Sequence, residues 1–338
     1  MTTLTFAIAG AIGRELKPGD EILVTRLDHD ANVSPWLAMA EDRGVTVRWA
    51  EIHEENCTLD LQDLASKINE NTKLVAVGYA SNAVGTINPV RVITKLAHAA
   101  GALCYIDAVH YGPHGIIDVA AIDCDFLACS TYKFFGPHMG VLYGKREHLS
   151  RFRPYKVRPN TNAIPNCWEW GTLNHECIAG IEACVEYIAD VGRHVTESCG
   201  DSRPGCPPSE ARPIPRRIGI EAAYVAIRQH ERELIERTMA GLTSIRGLKI
   251  YGIIEPGRFN DRCPTFAVRI EGHTPLELAT RLGERGIFTW DGNYYALNLT
   301  EHLDVEKSGG FLRIGLVHYN TAEEVDRLLT ALDEMVGP

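Results

Sequence analysis

Residues 104–140 read CYIDAVHYGPHGIIDVAAIDCDFLACSTYKFFGPHMG, and this stretch is the most informative part of the sequence. An apolar strand predicted at 102–106 delivers Asp107. A second apolar run at 125–129 delivers Ser130 and, three positions later, Lys133. The acid and the lysine therefore each follow a strand directly. In parallel sheets, ligands bind at the carboxyl ends of the strands, so the sequence places both side chains where a ligand would lie.

This pairing suits the chemistry of pyridoxal phosphate (PLP). A lysine forms a Schiff base with the cofactor aldehyde, and a carboxylate keeps the pyridine nitrogen protonated, so that the ring accepts the electrons of a carbanion. A purely structural interpretation stays open at this point, because an aspartate often ends a parallel strand and most lysines are solvated. Asp107 and Lys133 are nevertheless the first candidate catalytic residues.

The first 150 residues alternate strands with helices. We predict strands at 21–25, 45–50, 73–79, 102–106, 125–129 and 140–143, and helices at 3–16, 32–43, 59–69 and 90–100. Strands separated by helical segments imply crossover connections and a mainly parallel sheet with helices on both faces. The predicted fold class is therefore α/β.

The pattern changes in the second half of the chain. Helices are predicted at 176–191 and 220–242, with a proline-rich break at 198–215 between them. Strands at 248–251, 265–270 and 311–316 and helices at 274–285 and 321–335 follow, which indicates a smaller α+β domain. We predict a large domain over 1–220 and a small domain over 221–338.

Composition excludes several classes of function. The net charge of −10 argues against a protein that binds nucleic acid through its phosphates. No apolar run approaches the roughly 18–20 residues that span a bilayer, and the start lacks the basic region of a secretory signal. The ten cysteines contain no CxxC pair, so we expect no metal site and reduced thiols in a cytoplasmic protein. No GxGxxG or GxxxxGK[ST] loop supports a nucleotide-binding protein.

Other strand ends carry further candidates. His29 could stack on a pyridine ring or simply cap a turn, and Asn82 could bind a ring hydroxyl or simply form a turn. Ser130 and Thr131 can bind a phosphate through hydroxyl and N–H groups. Arg313 lies on an apolar strand and requires a buried partner, which is either a structural carboxylate or the carboxylate of a substrate.

Taken together, these motifs resemble the class V aminotransferase family of PLP enzymes, and most of all its cysteine desulfurase and selenocysteine lyase branch. The resemblance covers nearly the whole chain through DHDAN, SNAVGTINPV, the acid of YIDAVH, DCDFLACSTYK, FGPHMGVLYGK, WGTLNHE and GLVHYNTAEEVDRLL. It implies the PLP-dependent transferase fold type I, which is aspartate-aminotransferase-like, with PLP as cofactor and an amino acid as substrate. It also implies a homodimer with the active site at the interface.

The resemblance assigns roles to residues of the large domain. Lys133 would be the Schiff-base lysine and Asp107 the partner of the pyridine nitrogen. His29 would stack on the ring, and Asn82 would contact the ring hydroxyl and the substrate. His110 falls where the family usually has a glutamine that contacts the same ring edge.

The phosphate and substrate groups follow from the same resemblance. Ser130 would hold the phosphate, and Thr2 and Thr3 lie near the family's phosphate loop. The pair formed by Gly171 and Thr172 would reach the phosphate of the partner subunit. Arg313 would bind the α-carboxylate of the substrate.

The chain departs from the desulfurase pattern in three places. The segment that matches the family's mobile loop, 289–296 (TWDGNYYA), lacks the nucleophilic cysteine, although its aromatic residues suggest either a lined pocket mouth or domain packing. Tyr132 replaces the usual histidine before the lysine. The chain also starts almost at the phosphate loop, which is explained either by a misassigned start or by a shortened form that binds PLP weakly.

The expected activity is β-elimination from a small amino acid, as a C–S lyase or a desulfurase-like enzyme that works without a loop cysteine. The alternatives are an aminotransferase, an amino-acid epimerase, or a shortened non-catalytic homologue that binds a partner or PLP without turnover.

Overall fold

The structure is a computed structural model that describes residues 1–200 and 214–336. Its helices are α1 (Thr2–Ile12), α2 (Ser34–Arg43), α3 (Leu61–Lys67), α4 (Val90–Ala99), α5 (Val119–Ile122), α6 (Arg146–Arg151), α7 (His175–Gly200), α8 (Arg216–Ser244), α9 (Pro275–Glu284), α10 (Leu297–His302) and α11 (Ala322–Val336). Its strands are β1 (Glu21–Thr25), β2 (Thr46–Ala50), β3 (Ile52–His53), β4 (Thr58–Leu59), β5 (Thr72–Gly78), β6 (Leu103–Asp107), β7 (Phe126–Ser130), β8 (Gly140–Gly144), β9 (Leu248–Tyr251), β10 (Thr265–Ile270), β11 (Trp290–Gly292) and β12 (Phe311–Gly315).

The large sheet has six strands in the order β2-β1-β5-β6-β7-β8. All neighbours pair in parallel except β8, which runs antiparallel to β7. The predicted α/β fold with a mainly parallel sheet is therefore confirmed. Because the strands β1, β5, β6 and β7 run in one direction, their carboxyl ends share one edge of the sheet.

Both faces of this sheet are buried, as an apolar strand pattern requires. In β5, Val75 and Val77 belong to the core that also contains Ile93 of α4. The alternate residues Leu74 and Ala76 belong to the core on the opposite face, together with residues of α1 and α2. The period of two along the strand thus divides one apolar run between two helical layers.

The small sheet is antiparallel in the order β11-β12-β10-β9. Its core is shared with α8, α9 and α11. Helix α9 begins with a capping box, in which Thr274 and Glu277 satisfy each other's backbone N–H groups. The predicted smaller α+β part is therefore present, while the predicted boundary at 220/221 falls inside α8.

Several predicted boundaries were wrong. The α3 helix starts at Leu61 rather than 59, because Asp60 caps it and Thr58–Leu59 pairs with β3. The predicted break at 198–215 is helical up to Gly200 at its start, and its positions 201–213 lie outside the described residues. The sequence reasoning also missed β11 and α10, which are short and lack a clear apolar period.

Among residues 1–200 and 214–336, no helix combines the length and apolarity that crossing a membrane requires.

Candidate active site

A cavity of about 260 Å³ lies at the carboxyl ends of the central strands. Its lining includes eight of the candidate residues from the sequence, namely Thr2, His29, Asn82, Asp107, His110, Ser130, Lys133 and Arg313. Asp107 and Ser130 end β6 and β7, while His29 and Asn82 follow β1 and β5. The fold therefore brings together side chains that lie as far apart in the sequence as Thr2 and Arg313.

Asp107 is buried at the floor of this cavity. The backbone N–H of Val109 donates to its carboxylate at 2.9 Å, and among the described residues this is the one hydrogen bond that the group receives. Burial raises the pKa of Asp107 to about 7, while the Val109 hydrogen bond and the positive charge of Lys133 oppose the shift. Because a buried carboxylate with one hydrogen bond is poorly stabilised, a cation or an N–H donor that enters the cavity would bind it favourably.

Lys133 lies in the short 3-10 turn Thr131–Phe134 that follows β7. Burial lowers the pKa of Lys133, the positive charge of Arg313 lowers it further, and Asp107 opposes both effects. Its ammonium nitrogen lies 5.3 Å from the centre of the Tyr132 ring, which also lines the cavity. The lowered pKa increases the fraction of neutral amine, which is the form that acts as a nucleophile or base.

Arg313 enters the cavity from β12 of the small sheet. Its guanidinium donates to the backbone oxygen of Asn82 at 3.0 Å and lies 4.4 Å from the centre of the Tyr294 ring. Burial lowers the pKa of Arg313, and the group meets no carboxylate among the described residues. The structural carboxylate that the sequence left open is therefore not found there, and the cation is available to an anion in the cavity.

His29 follows β1 and is held by local contacts. Its Nδ1 accepts the N–H of Ala31 at 2.9 Å, and its ring stacks on Tyr295 with centroids 5.3 Å apart. Burial lowers the pKa of His29 to about 4, and the charge of Lys133 adds to that effect. The imidazole is therefore neutral at neutral pH, as a stacking group should be.

The loop that carries Asn82 is fixed by the small sheet. Arg262 is fully buried and donates to the backbone oxygens of Val84 at 3.5 Å and Thr265 at 2.5 Å. The N–H of Cys263 donates to Gly85 oxygen at 2.8 Å. Asn82 itself donates to the Tyr294 oxygen at 2.8 Å, but its own Oδ1 is buried and finds no hydrogen-bond partner in the part of the chain that the structure describes.

His110 is backed by a second layer of polar groups. Its Nε2 bonds Thr265 Oγ1 at 3.0 Å, and the neighbouring His114 bonds buried Glu231 at 2.9 Å. Burial lowers the pKa of His110 well below its ordinary value, so the ring is neutral. The thiol of Cys263 also lies within 4.8 Å of a ring nitrogen of both histidines, and burial raises its pKa.

Four candidate residues do not line the cavity, namely Thr3, Thr131, Gly171 and Thr172. Thr131 is buried, and its hydroxyl donates to the backbone oxygen of Met139 at 3.2 Å. Thr3 is exposed on α1, although Thr2 reaches the lining. Gly171 and Thr172 are exposed and also lie outside the lining in the single chain. Ser130 does reach it, and its Oγ accepts a hydrogen bond from the amino group of Met1 at 3.2 Å.

The sequence reasoning missed Asp28, which supports the site from beneath. Its carboxylate accepts the N–H of Gly78 at 2.8 Å and the Asn32 amide at 2.9 Å, and so joins the ends of β1 and β5. Burial raises the pKa of Asp28 to about 7, and the negative charge of Asp107 adds to this. The sequence did contain a signal for this role, because Asp28 is a polar residue between the buried strand β1 and the candidate His29.

These two carboxyl groups predict a pH-dependent stability. The ordinary pKa of an aspartate is 3.8, so the folded state gains protons relative to the unfolded state, and this stabilisation fades as the pH rises through about 7. We expect the unfolding temperature of the cofactor-free chain to fall by several degrees between pH 6 and pH 8. Asp28→Asn should flatten this slope in a thermal unfolding series, whereas exposed Asp42→Asn should not. A slope that Asp28→Asn leaves unchanged would contradict this assignment.

Comparison with known proteins places the chain in a family. The model of the class-V aminotransferases matches residues 2–199 and 218–328. A probable cysteine desulfurase of Halalkalibacterium halodurans is 30% identical over 98% of this chain and 75% of its own length, and the aminotransferase-like protein FGM3 of Gibberella zeae is 29% identical over 96% and 74%. The apo cysteine desulfurase of Thermococcus onnurineus has a TM-score of 0.83 at 27% identity, covering 99% of this chain and 77% of that one. The chain therefore belongs to the class-V aminotransferase family of PLP-dependent enzymes, with the fold of its cysteine desulfurase branch.

Proposed function

We propose that the cavity holds PLP and that the chain catalyses β-elimination of a sulfur substituent from a small amino acid. The observation that carries the proposal is the meeting of Asp107, Lys133 and Arg313 in one cavity. Among the described residues, Asp107 forms no ion pair with a side chain and Arg313 meets no carboxylate. With the amine of lowered pKa on Lys133, they suit the three demands of such a reaction, which are a ring nitrogen to hold, a proton to remove and a carboxylate to bind.

The residues present fit PLP. Within residues 1–200 and 214–336, the carboxyl group of Asp107 has no cationic hydrogen-bond partner, and a protonated pyridine nitrogen would supply one. The orphaned Oδ1 of Asn82 would gain a donor from the ring hydroxyl. Neutral His29 supplies an aromatic face at the cavity. Ser130 and Thr2, at the N-terminus of α1, would hold the phosphate, since helix N-termini favour anions.

When bound, PLP supplies a ring that accepts the electron pair left on Cα after its proton is removed. Asp107 holds the proton on the pyridine nitrogen, and Asn82 orients the ring edge. Arg313 binds the α-carboxylate and so fixes the direction of the Cα–H bond. Lys133 takes the proton from Cα, which its lowered pKa favours. Gly171 and Thr172 would complete the phosphate site from the partner subunit of a homodimer.

β-Elimination is favoured over desulfuration through an enzyme thiol. Among the residues that the structure describes, no cysteine lines the cavity. Cys263, which lies beside His110 behind the lining, is fully buried, and burial raises its pKa and disfavours the thiolate. A sulfur substituent must therefore leave as a free thiol or sulfide. The alternatives, transamination and epimerisation at Cα, begin with the same proton removal but retain the Cβ substituent.

Product analysis tests this proposal. We expect the chain supplied with PLP to convert β-chloro-L-alanine and L-cysteine to pyruvate and ammonium, with chloride or sulfide released in equal amount. L-Alanine, which has no leaving group, serves as the control and should only exchange its Cα hydrogen in D₂O. If β-chloro-L-alanine yields no pyruvate, while L-alanine transfers its nitrogen to a 2-oxo acid or is converted to D-alanine, β-elimination would be overturned in favour of transamination or epimerisation.

A further inference from the structure

The segment 289–296, here named the aromatic wall, is fixed against the large sheet. The Tyr295 oxygen accepts the N–H of Asp30 at 2.6 Å, and the Tyr294 oxygen accepts the Asn82 amide at 2.8 Å. The Tyr294 hydroxyl donates to the Trp290 oxygen at 2.9 Å. Backbone hydrogen bonds of this kind hold a wall in place, whereas a mobile loop would lack them.

The backbone of the wall is also unusual. Tyr294 and Tyr295 have φ angles of 56° and 61°, in the left-handed region that non-glycine residues rarely adopt. Such conformations persist only where the surroundings impose them, and they are concentrated at ligand sites. Two large rings of the aromatic wall are open to solvent and line the cavity: Trp290 of β11 is 67% exposed, and Tyr295 is 71% exposed.

The wall lies next to the group that would orient a substrate. Trp290 of β11 pairs directly with Arg313 of β12. Directly opposed residues of antiparallel strands have Cβ atoms about 5 Å apart and point to the same face. A substrate whose α-carboxylate binds Arg313 therefore extends its side chain within reach of an indole and a phenol ring.

From this juxtaposition we propose that the substrates are cysteine S-conjugates, thioethers whose sulfur carries an aromatic or other apolar group. This deepens the proposed function and rests on it. The described residues of the cavity lining include no thiol to receive sulfur, whereas the aromatic wall offers a surface for an apolar leaving group.

The reaction balances without an oxidant or a reductant. The Cα proton passes to Lys133, the Cβ–S bond breaks, and its electron pair and a proton leave with sulfur as the thiol R–SH. The remaining three-carbon fragment takes up water and yields pyruvate and ammonium.

Matched thioethers test the proposal. We expect kcat/KM for S-benzyl-L-cysteine to exceed that for S-methyl-L-cysteine by about 10-fold or more, because the wall buries the added ring. Trp290→Ala should reduce this ratio by about 10-fold, Tyr295→Ala should reduce it in the same direction, and Trp290→Phe should preserve most of it. The matched control is Phe288→Ala. Phe288 lies two positions before Trp290, is 89% exposed and does not line the cavity.

Binding gives a second readout that needs no turnover. Calorimetry on the Lys133→Ala chain should show S-benzyl-L-cysteine binding more tightly than S-methyl-L-cysteine, and a further Trp290→Ala exchange should remove the difference. Pyruvate from β-chloro-L-alanine without any preference for the benzyl thioether would overturn the substrate class but keep the proposed function. The absence of pyruvate from every substrate would overturn the proposed function itself, and retained benzyl selectivity in calorimetry would then leave only the aromatic subsite.

Discussion

Lys133→Ala is expected to abolish turnover on every candidate substrate, with a loss of at least about 10³-fold. The amine of Lys133 is the one lysine nitrogen among the residues lining the cavity, and its lowered pKa suits it to bind the cofactor and to remove a proton. In the unaltered chain, borohydride reduction should fix PLP covalently to the peptide that contains Lys133. Visible absorbance and peptide mapping measure both effects.

The matched control for this change is Lys73→Ala. Lys73 lies near the opposite end of β5 and pairs with Asp20 at 3.9 Å, away from the cavity. It should retain full turnover and full PLP attachment. Undiminished activity of the Lys133→Ala chain, or a reduced adduct on another lysine, would contradict the assignment. A chain that never traps PLP at all would favour the non-catalytic alternative.

Asp107→Asn is expected to lower turnover by about 10²-fold, because an amide holds a protonated pyridine nitrogen far less well than a carboxylate does. The same change removes a buried group whose pKa is raised to about 7, so it should not destabilise the cofactor-free chain at pH 8. Turnover and thermal unfolding therefore move independently, and the two measurements separate a role in chemistry from a role in folding.

Asp118→Asn is the matched control for Asp107→Asn. Asp118 caps the short helix α5 through the N–H groups of Ala120 and Ala121, and it does not line the cavity. We expect its turnover to stay within about 2-fold of the unaltered chain, since surface changes of this kind are small. Equal losses in both variants would show that Asp107 acts through the fold alone.

The central strands could be predicted from sequence because their residues are buried on both faces. β6 and β7 appear as apolar runs that end in Asp107 and Ser130, and the parallel order then brings both to one edge. The helices α9 and α11 could be predicted for a similar reason, as long amphipathic segments with polar starts. The local pattern of apolar and polar residues is therefore sufficient to predict buried strands and amphipathic helices.

Contacts between distant parts of the chain could not be predicted in this way. Glu231 is buried on α8 because it binds His114, which is 117 positions away. Arg262 is buried because backbone oxygens of two separate segments surround it. The strand β11 has only three residues and no alternation, so nothing local marks it. Each of these features depends on tertiary partners rather than on periodicity.

The pairing of β11 with β12 fixes the position of Trp290 relative to Arg313, and so the distance between the proposed aromatic and carboxylate subsites. Side chains alternate between faces along a strand, so a shift of one residue in this pairing would turn Trp290 away from the cavity while Arg313 stayed in place. The connection from α9 to β11 sets that register. Selectivity among relatives can therefore change through the length of this connection, by a single insertion or deletion, with every residue of the wall retained.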